Sequence, residues 1–225
     1  MCGRFQLSVK GKQISERFNV EVFDELYKPN YNCAPSQKLP VITNDKPDQL
    51  SFFQWGLIPF WAKDPKVGFR NINTRSETIG EKPSFKNAFK KRRCLIPANG
   101  FYEWRKDNDK TPFRIFLKDE KLFAIAGIWE TWKDAESRII NSFSIITATA
   151  NSLVEDIHNR MPVILKPEDE AIWLMENDET LLKSLLVPYS EGSMEAYAIS
   201  KKVNSPINNG SEIIMPETDG QQLLF

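Results

Sequence analysis

The chain has 225 residues, 41% of them hydrophobic and 27% charged, the balance of a soluble folded domain long enough to bury a sizeable core. Thirty Lys and Arg residues offset thirty Asp and Glu, so no global field draws the molecule to nucleic acid or membrane, and polyanion binding requires a local patch. No apolar run reaches the roughly 20 residues of a membrane span, and the start lacks a signal-peptide layout. Three cysteines (Cys2, Cys33, Cys94) without a C-x-x-C pair, and a single histidine, argue against a disulfide framework and a zinc site and for a reducing cytoplasm.

In chain order, strand-like runs rich in aromatic and β-branched residues begin with "LSFFQW" (50–55). A helix follows over "PSFKNAFKK" (83–91), then strands over "RCLIPA" (93–98) and "FYEW" (101–104), with Asn99-Gly100 between them as a two-residue hairpin signal. Strands are predicted at "PFRIFL" (112–117), "LFAIAGIW" (122–129) and "FSIITATA" (143–150). "NSLVEDI" (151–157) reads as a helix with Asn151 as N-cap, and "MPVIL" (161–165) as a strand. "PEDEAIWLMEN" (167–177) opens a helix with proline and acids in its first turn, and "EAYAIS" (195–200) is the last strand. Strands dominate without regular alternation with helices, so the fold class is α+β, with a largely antiparallel, barrel-like core and flanking helices. One domain is expected over 1–204. The polar stretch 205–225 is expected to be a loosely ordered tail.

Cys2 stands directly behind the initiator methionine in "MCGRF". Removal of Met1 leaves a cysteine carrying a free α-amine. With a pKa near 7.7, roughly one such amine in six is neutral at pH 7, against about one lysine in 2,500. It is therefore a ready Schiff-base former, and its own thiol can close a five-membered thiazolidine on the imine. That chemistry demands an aldehyde. A cysteine that attacks acyl groups with its own amine as base is the alternative.

Other constellations are candidates for the same chemistry. "GFRNINTRSET" (68–78) gathers Arg70, Asn71, Asn73 and Arg75, neutral amides beside guanidinium forks suited to phosphate. Asn71 reads more simply as a residue that satisfies its own loop. Glu103 lies between Tyr102 and Trp104: either a desolvated general acid/base, or an outward-facing glutamate whose aromatic neighbours point to the opposite face. His158, in "DIHNRMP", is the only standard side chain titrating near neutrality, with a structural cap as the alternative; Arg160 follows it. Phe60, Trp61, Phe69 and Arg70 interleave aromatics with cations, as single-strand binding requires.

The ordered motifs "MCGRF", "YNCAPSQ", "WGLIPFWA", "NINTRSET", "LIPANGFYEW", "FAIAGIWE", "SIITATAN" and "IHNRMPVIL" resemble the SRAP family, the SOS-response-associated peptidases now understood as abasic-site processing proteins. The resemblance runs from residue 2 to about 200. It implies the SRAP fold with a positively charged single-strand groove, no cofactor, and single-stranded DNA containing abasic sites as partner. Cys2 would capture the abasic aldehyde as a thiazolidine, and Asn73 would position its amine. Glu103 would serve ring opening as acid and base, and His158 would handle protons on the sugar oxygens. Arg4, Arg75 and Arg160 would hold flanking phosphates, and Phe60 and Trp61 would stack at the gap. The family name also keeps alive a peptidase acting on its own N-terminus. The ending "QQLLF" resembles sliding-clamp docking peptides through Gln221, Leu224 and Phe225, with Gln222 where a leucine is usual.

Overall fold

A computed structural model describes residues 2–23 and 25–217. The first third of the chain contributes β1 (Arg4–Leu7), α1 (Gly11–Phe18), β2 (Asn30–Cys33), β3 (Lys38–Thr43), β4 (Lys46–Trp55) and β5 (Asn73–Arg75). There follow α2 (Lys86–Lys91), β6 (Arg93–Ala98), β7 (Gly100–Trp104), β8 (Pro112–Leu117), β9 (Phe123–Lys133) and β10 (Ile139–Thr149). The last third supplies α3 (Ser152–Glu155), β11 (Arg160–Pro162), β12 (Ile164–Leu165), α4 (Pro167–Met175), α5 (Glu179–Ser184) and β13 (Met194–Ala198). Among the described residues no helix is long and apolar enough to cross a membrane.

The strand order β10-β4-β3-β6-β9 closes on itself, because β9 also pairs with β10. All these pairings are antiparallel except β10 with β4. The near-continuous apolar run of β10 fits this place: Phe143, Ile145, Ile146 and Ala148 are all buried, as in a strand covered on both faces. Trp55 stacks on Phe143 with ring centroids 6.2 Å apart, and Phe5 tilts against Trp55 at 5.3 Å. Packing at the β6–β9 seam is tight enough to require glycine. A Cβ on Gly127 would fall 2.3 Å from Ile96 Cδ1 and 3.0 Å from Cys94 Sγ.

A second, antiparallel sheet has the order β13-β8-β7-β1-β2. The chain passes between sheets at Asn99-Gly100, which is therefore not the hairpin turn its sequence suggests. β6 pairs with β3 and β9, whereas β7 pairs with β1 and β8. Buried Asn99 accepts the Ser8 N–H at 2.9 Å through Oδ1, and a Cβ on Gly100 would stand 2.9 Å from Gln6 Oε1. The pair is chosen for a side-chain hydrogen bond and a close approach, not for a type I′ turn.

The predicted helices form, with Asn151 capping α3 by accepting the Val154 N–H at 3.0 Å. "MPVIL" divides into β11 and β12 because the chain changes partner at Val163, from β10 to β9. The expectation of looseness from residue 205 does not describe residues 205–217. Buried Asn32 directs its Nδ2 at the carbonyls of Val203, Ser205 and Asn208, at 3.0 to 3.1 Å. The Tyr31 N–H donates to Asn209 Oδ1 at 2.6 Å, and Ile213 is fully buried.

Arg93 is buried and serves as a shared cap for two helix C-termini. Nε donates to the Trp173 carbonyl at 2.6 Å, Nη1 to Phe89 and Lys90 at 3.0 and 2.7 Å, and Nη2 to Leu174 and Glu176. These carbonyls lie at the ends of α2 and α4, where intrahelical donors run out. Arg93→Met keeps much of the volume but leaves buried carbonyls without donors. It is expected to cost about 3 kcal/mol or more in denaturant unfolding.

Candidate functional site

The site is assembled at the start of β1. Cys2 is fully buried, with its Sγ 3.6 Å from the Arg4 carbonyl. Asn73 opens β5 and donates from Nδ2 to the Cys2 carbonyl at 2.8 Å. Asn73 is set by register, since β5 adds parallel to β10 with Asn73 opposite Ile145. The loop before it is closed by backbone contact: Gly56 has φ of +126°, and a Cβ there would lie 2.7 Å from the Gly68 carbonyl oxygen. Within this loop Asn71 donates to the Leu57 carbonyl at 3.0 Å and Trp55 Nε1 to the Ile72 carbonyl at 2.9 Å. Asn71 thus serves the loop, and Asn73 reaches Cys2.

Glu103 lies on β7, next to β1, and only 2% of it is exposed. This settles the alternative left open by its aromatic neighbours: Glu103 faces inward. Burial pushes its carboxyl up to about 7, against the positive charge of the amino terminus, a hydrogen bond from the Trp104 backbone and the Lys106 charge. The Cys2 thiol is driven well above its ordinary range, first by burial and then by the neighbouring Glu103 charge.

His158 follows α3, and its backbone N–H donates to the Val154 carbonyl at 2.7 Å. The Arg160 N–H donates to His158 Nδ1 at 3.1 Å, which assigns the proton of the neutral ring to Nε2. The Arg160 carbonyl lies 3.2 Å from the same nitrogen, ready to accept from it when the ring is charged. Desolvation lowers the His158 pKa, helped by the charges of the amino terminus, Lys106 and Arg160.

The remaining sequence assignments separate into two groups. Arg70 and Arg75 are exposed, as are Phe60 (52%), Trp61 (52%) and Phe69 (62%). Arg4 is half-buried instead, donating to the Gly3 carbonyl at 2.9 Å and the Asn204 carbonyl at 3.4 Å. Arg160 donates to both carboxylate oxygens of Glu77, at 2.5 and 3.0 Å, and to the Thr147 carbonyl at 2.5 Å. Gln221, Leu224 and Phe225 lie outside the described residues. Lys106 was missed by sequence reading: its Nζ donates to Asn159 Oδ1 at 3.3 Å, and its charge is felt at both Glu103 and His158. A cation three residues beyond the acid, in the turn after its strand, was the available signal.

Cys2 is thus held by the Asn73 amide with the Glu103 charge felt at its thiol, and the Lys106 charge is felt at both Glu103 and His158. A family model described as SOS response associated peptidase (SRAP) matches residues 1–206, and the chain belongs to that family. The abasic site processing protein YoqW of Bacillus subtilis is 48% identical over 95% of this chain and 99% of its own. The abasic site processing protein HMCES of Rattus norvegicus is 32% identical over 84% of this chain and 65% of its own. A crystal structure of a Bacteroides thetaiotaomicron protein matches with a TM-score of 0.89 at 32% identity, covering 96% of this chain and all of that one.

A buried carboxyl whose folded pKa lies above its unfolded value weakens the fold as pH rises between the two. For Glu103 that window runs from about 4.5 to about 7. Glu103→Gln removes the effect. Its stability relative to wild type is expected to rise from pH 4 to pH 8 by up to about 3 kcal/mol, read from unfolding curves at both pH values.

Proposed function

We propose that this chain binds single-stranded DNA and processes its abasic sites by a covalent cross-link between Cys2 and the ring-opened sugar aldehyde. The observation that carries the proposal is the 2.8 Å hydrogen bond from Asn73 to the Cys2 carbonyl, which ties the terminal residue beside Glu103. The names of the relatives as abasic site processing proteins support the substrate.

Once Met1 is removed, the Cys2 nitrogen attacks the aldehyde carbon and the carbinolamine loses water to give an imine. Sγ then adds to the imine carbon while the thiol proton passes to the nitrogen. The balance is aldehyde plus aminothiol to thiazolidine plus one water, with no change of oxidation state. Glu103, titrating near 7, can give a proton to the sugar ring oxygen and take one back at the same pH. His158 presents Nε2–H to the sugar oxygens. If the imine loses a proton from the carbon next to it and the phosphate on the following carbon departs before sulfur closes the ring, the strand is cleaved, which is the lyase branch of the same chemistry. Arg75, Arg70, Phe60 and Trp61 hold the flanking strand by charge and stacking.

A peptidase using Cys2 and His158 needs an easily formed thiolate. The buried Cys2 thiol has the opposite bias, and His158 Nδ1 is engaged by Arg160. Addition to an imine tolerates a neutral thiol, because the imine nitrogen takes the proton. The decisive measurement is the intact mass of Met1-processed protein incubated with an abasic oligonucleotide. Wild type is expected to gain the oligonucleotide mass less one water, and Cys2→Ala to give no heat-stable adduct while still binding the strand. An undiminished adduct with Cys2→Ala would overturn the proposal. Asn73→Ala is expected to slow adduct formation by about 10- to 100-fold, followed by denaturing gel over time.

A further inference from the structure

Glu77 is an anomaly in this setting. It stands two residues beyond Arg75, on the turn after β5, where a DNA-binding face gains nothing from negative charge. Its two carboxylate oxygens take two guanidinium donors of Arg160, at 2.5 and 3.0 Å. This is the bidentate geometry that a phosphate would adopt on the same arginine.

We infer that Glu77 is a specificity-determining residue, a carboxylate that occupies the Arg160 guanidinium in the free protein and yields it only to the backbone of a strand bent into the site. This rests on the single-strand proposal above. The two partners differ in accessibility: the Arg160 side chain is 12% exposed and the Glu77 side chain 49%. Arg160 is held in place by the Thr147 carbonyl and by the register of β11 on β10, with Arg160 opposite Thr149. Glu77, the more exposed partner, is held besides Arg160 only by local hydrogen bonds from its own backbone and Ser76, and is the one that swings away. An ordinary strand lying across exposed Arg70 and Arg75 gains too little at the less accessible Arg160 guanidinium to displace Glu77 from it. A strand missing a base can bend at the gap and bring a phosphate to Arg160, directly beside His158. The exchange replaces one anion with another on the same donors. Because a phosphate takes the donors that Glu77 leaves, the little-exposed guanidinium is not left unpaired and the exchange is reversible.

The test uses the full chain in a Cys2→Ala background, so that only reversible binding is read, with intact and abasic oligonucleotides of equal length titrated across a salt series. Glu77→Gln is expected to tighten binding of the intact strand by about fivefold. Its salt dependence should steepen by roughly 0.7 in log–log slope, the signature of one added phosphate contact on a single strand. Preference for the abasic strand narrows accordingly. Glu77→Asp keeps the charge and is expected to stay close to the parent. Glu81→Gln, an exposed acid nearby, reports the effect of removing any one negative charge. The inference fails if Glu77→Gln matches Glu81→Gln, or if its effect persists when Arg160 is also changed to Met, since both outcomes reduce Glu77 to a diffuse repulsion. A parent protein that binds neither strand defeats the single-strand proposal itself, and this inference with it.

Discussion

The hydrogen bond from the Asn73 amide to the Cys2 carbonyl ties the second residue of the chain into the interior. A terminus left to itself frays, because it has few contacts to offset the entropy of ordering. Here Cys2 leads into β1, which pairs with β7 from Arg4 onward; its carbonyl is held by a side chain from β5 and the residue is buried completely. The second sheet supplies Glu103 beside it and the barrel supplies Asn73, so the site exists only when both layers are docked.

Desolvation then sets the chemistry. The same burial that raises Glu103 towards neutrality suppresses the Cys2 thiolate and lowers the charge on His158. All three groups are biased towards their neutral forms, and the local charges supplied by the amino terminus and Lys106 adjust that bias. Neutral groups suit a reaction whose steps move protons between oxygen, nitrogen and sulfur without building a lasting anion. They do not suit one that begins from a thiolate.

Much of this was legible in the sequence, for identifiable reasons. Long apolar runs such as "FSIITATA" and the acid-rich start of α4 announce themselves through period and capping; Asn71 read as a residue serving its own loop, whereas Asn73, on the same face by spacing, was singled out only by the family resemblance. What was not legible depended on which strand neighbours which. Asn99-Gly100 has the composition of a hairpin, but the strands around it belong to different sheets. The alternation rule placed Tyr102 and Trp104 opposite Glu103, yet in a strand enclosed on both faces that does not make Glu103 solvent-exposed. α1, with no acid in its first turn and a lysine at its N-cap, carries few of the usual signals. The carbonyls of Ser205 and Asn208 are held by Asn32, more than 170 positions earlier, a dependence no local window contains.

β10 carries Asn73 on one neighbouring strand and Arg160 on another, opposite Ile145 and Thr149. The spacing between the amide side of the site and the histidine side is thus counted in peptide units along a single extended segment. Chain lengths in the connections at 56–72 and 150–159 do not enter that count. Insertions there can remodel whatever lies outside the site, and the reacting groups keep their separation as long as one strand keeps its register.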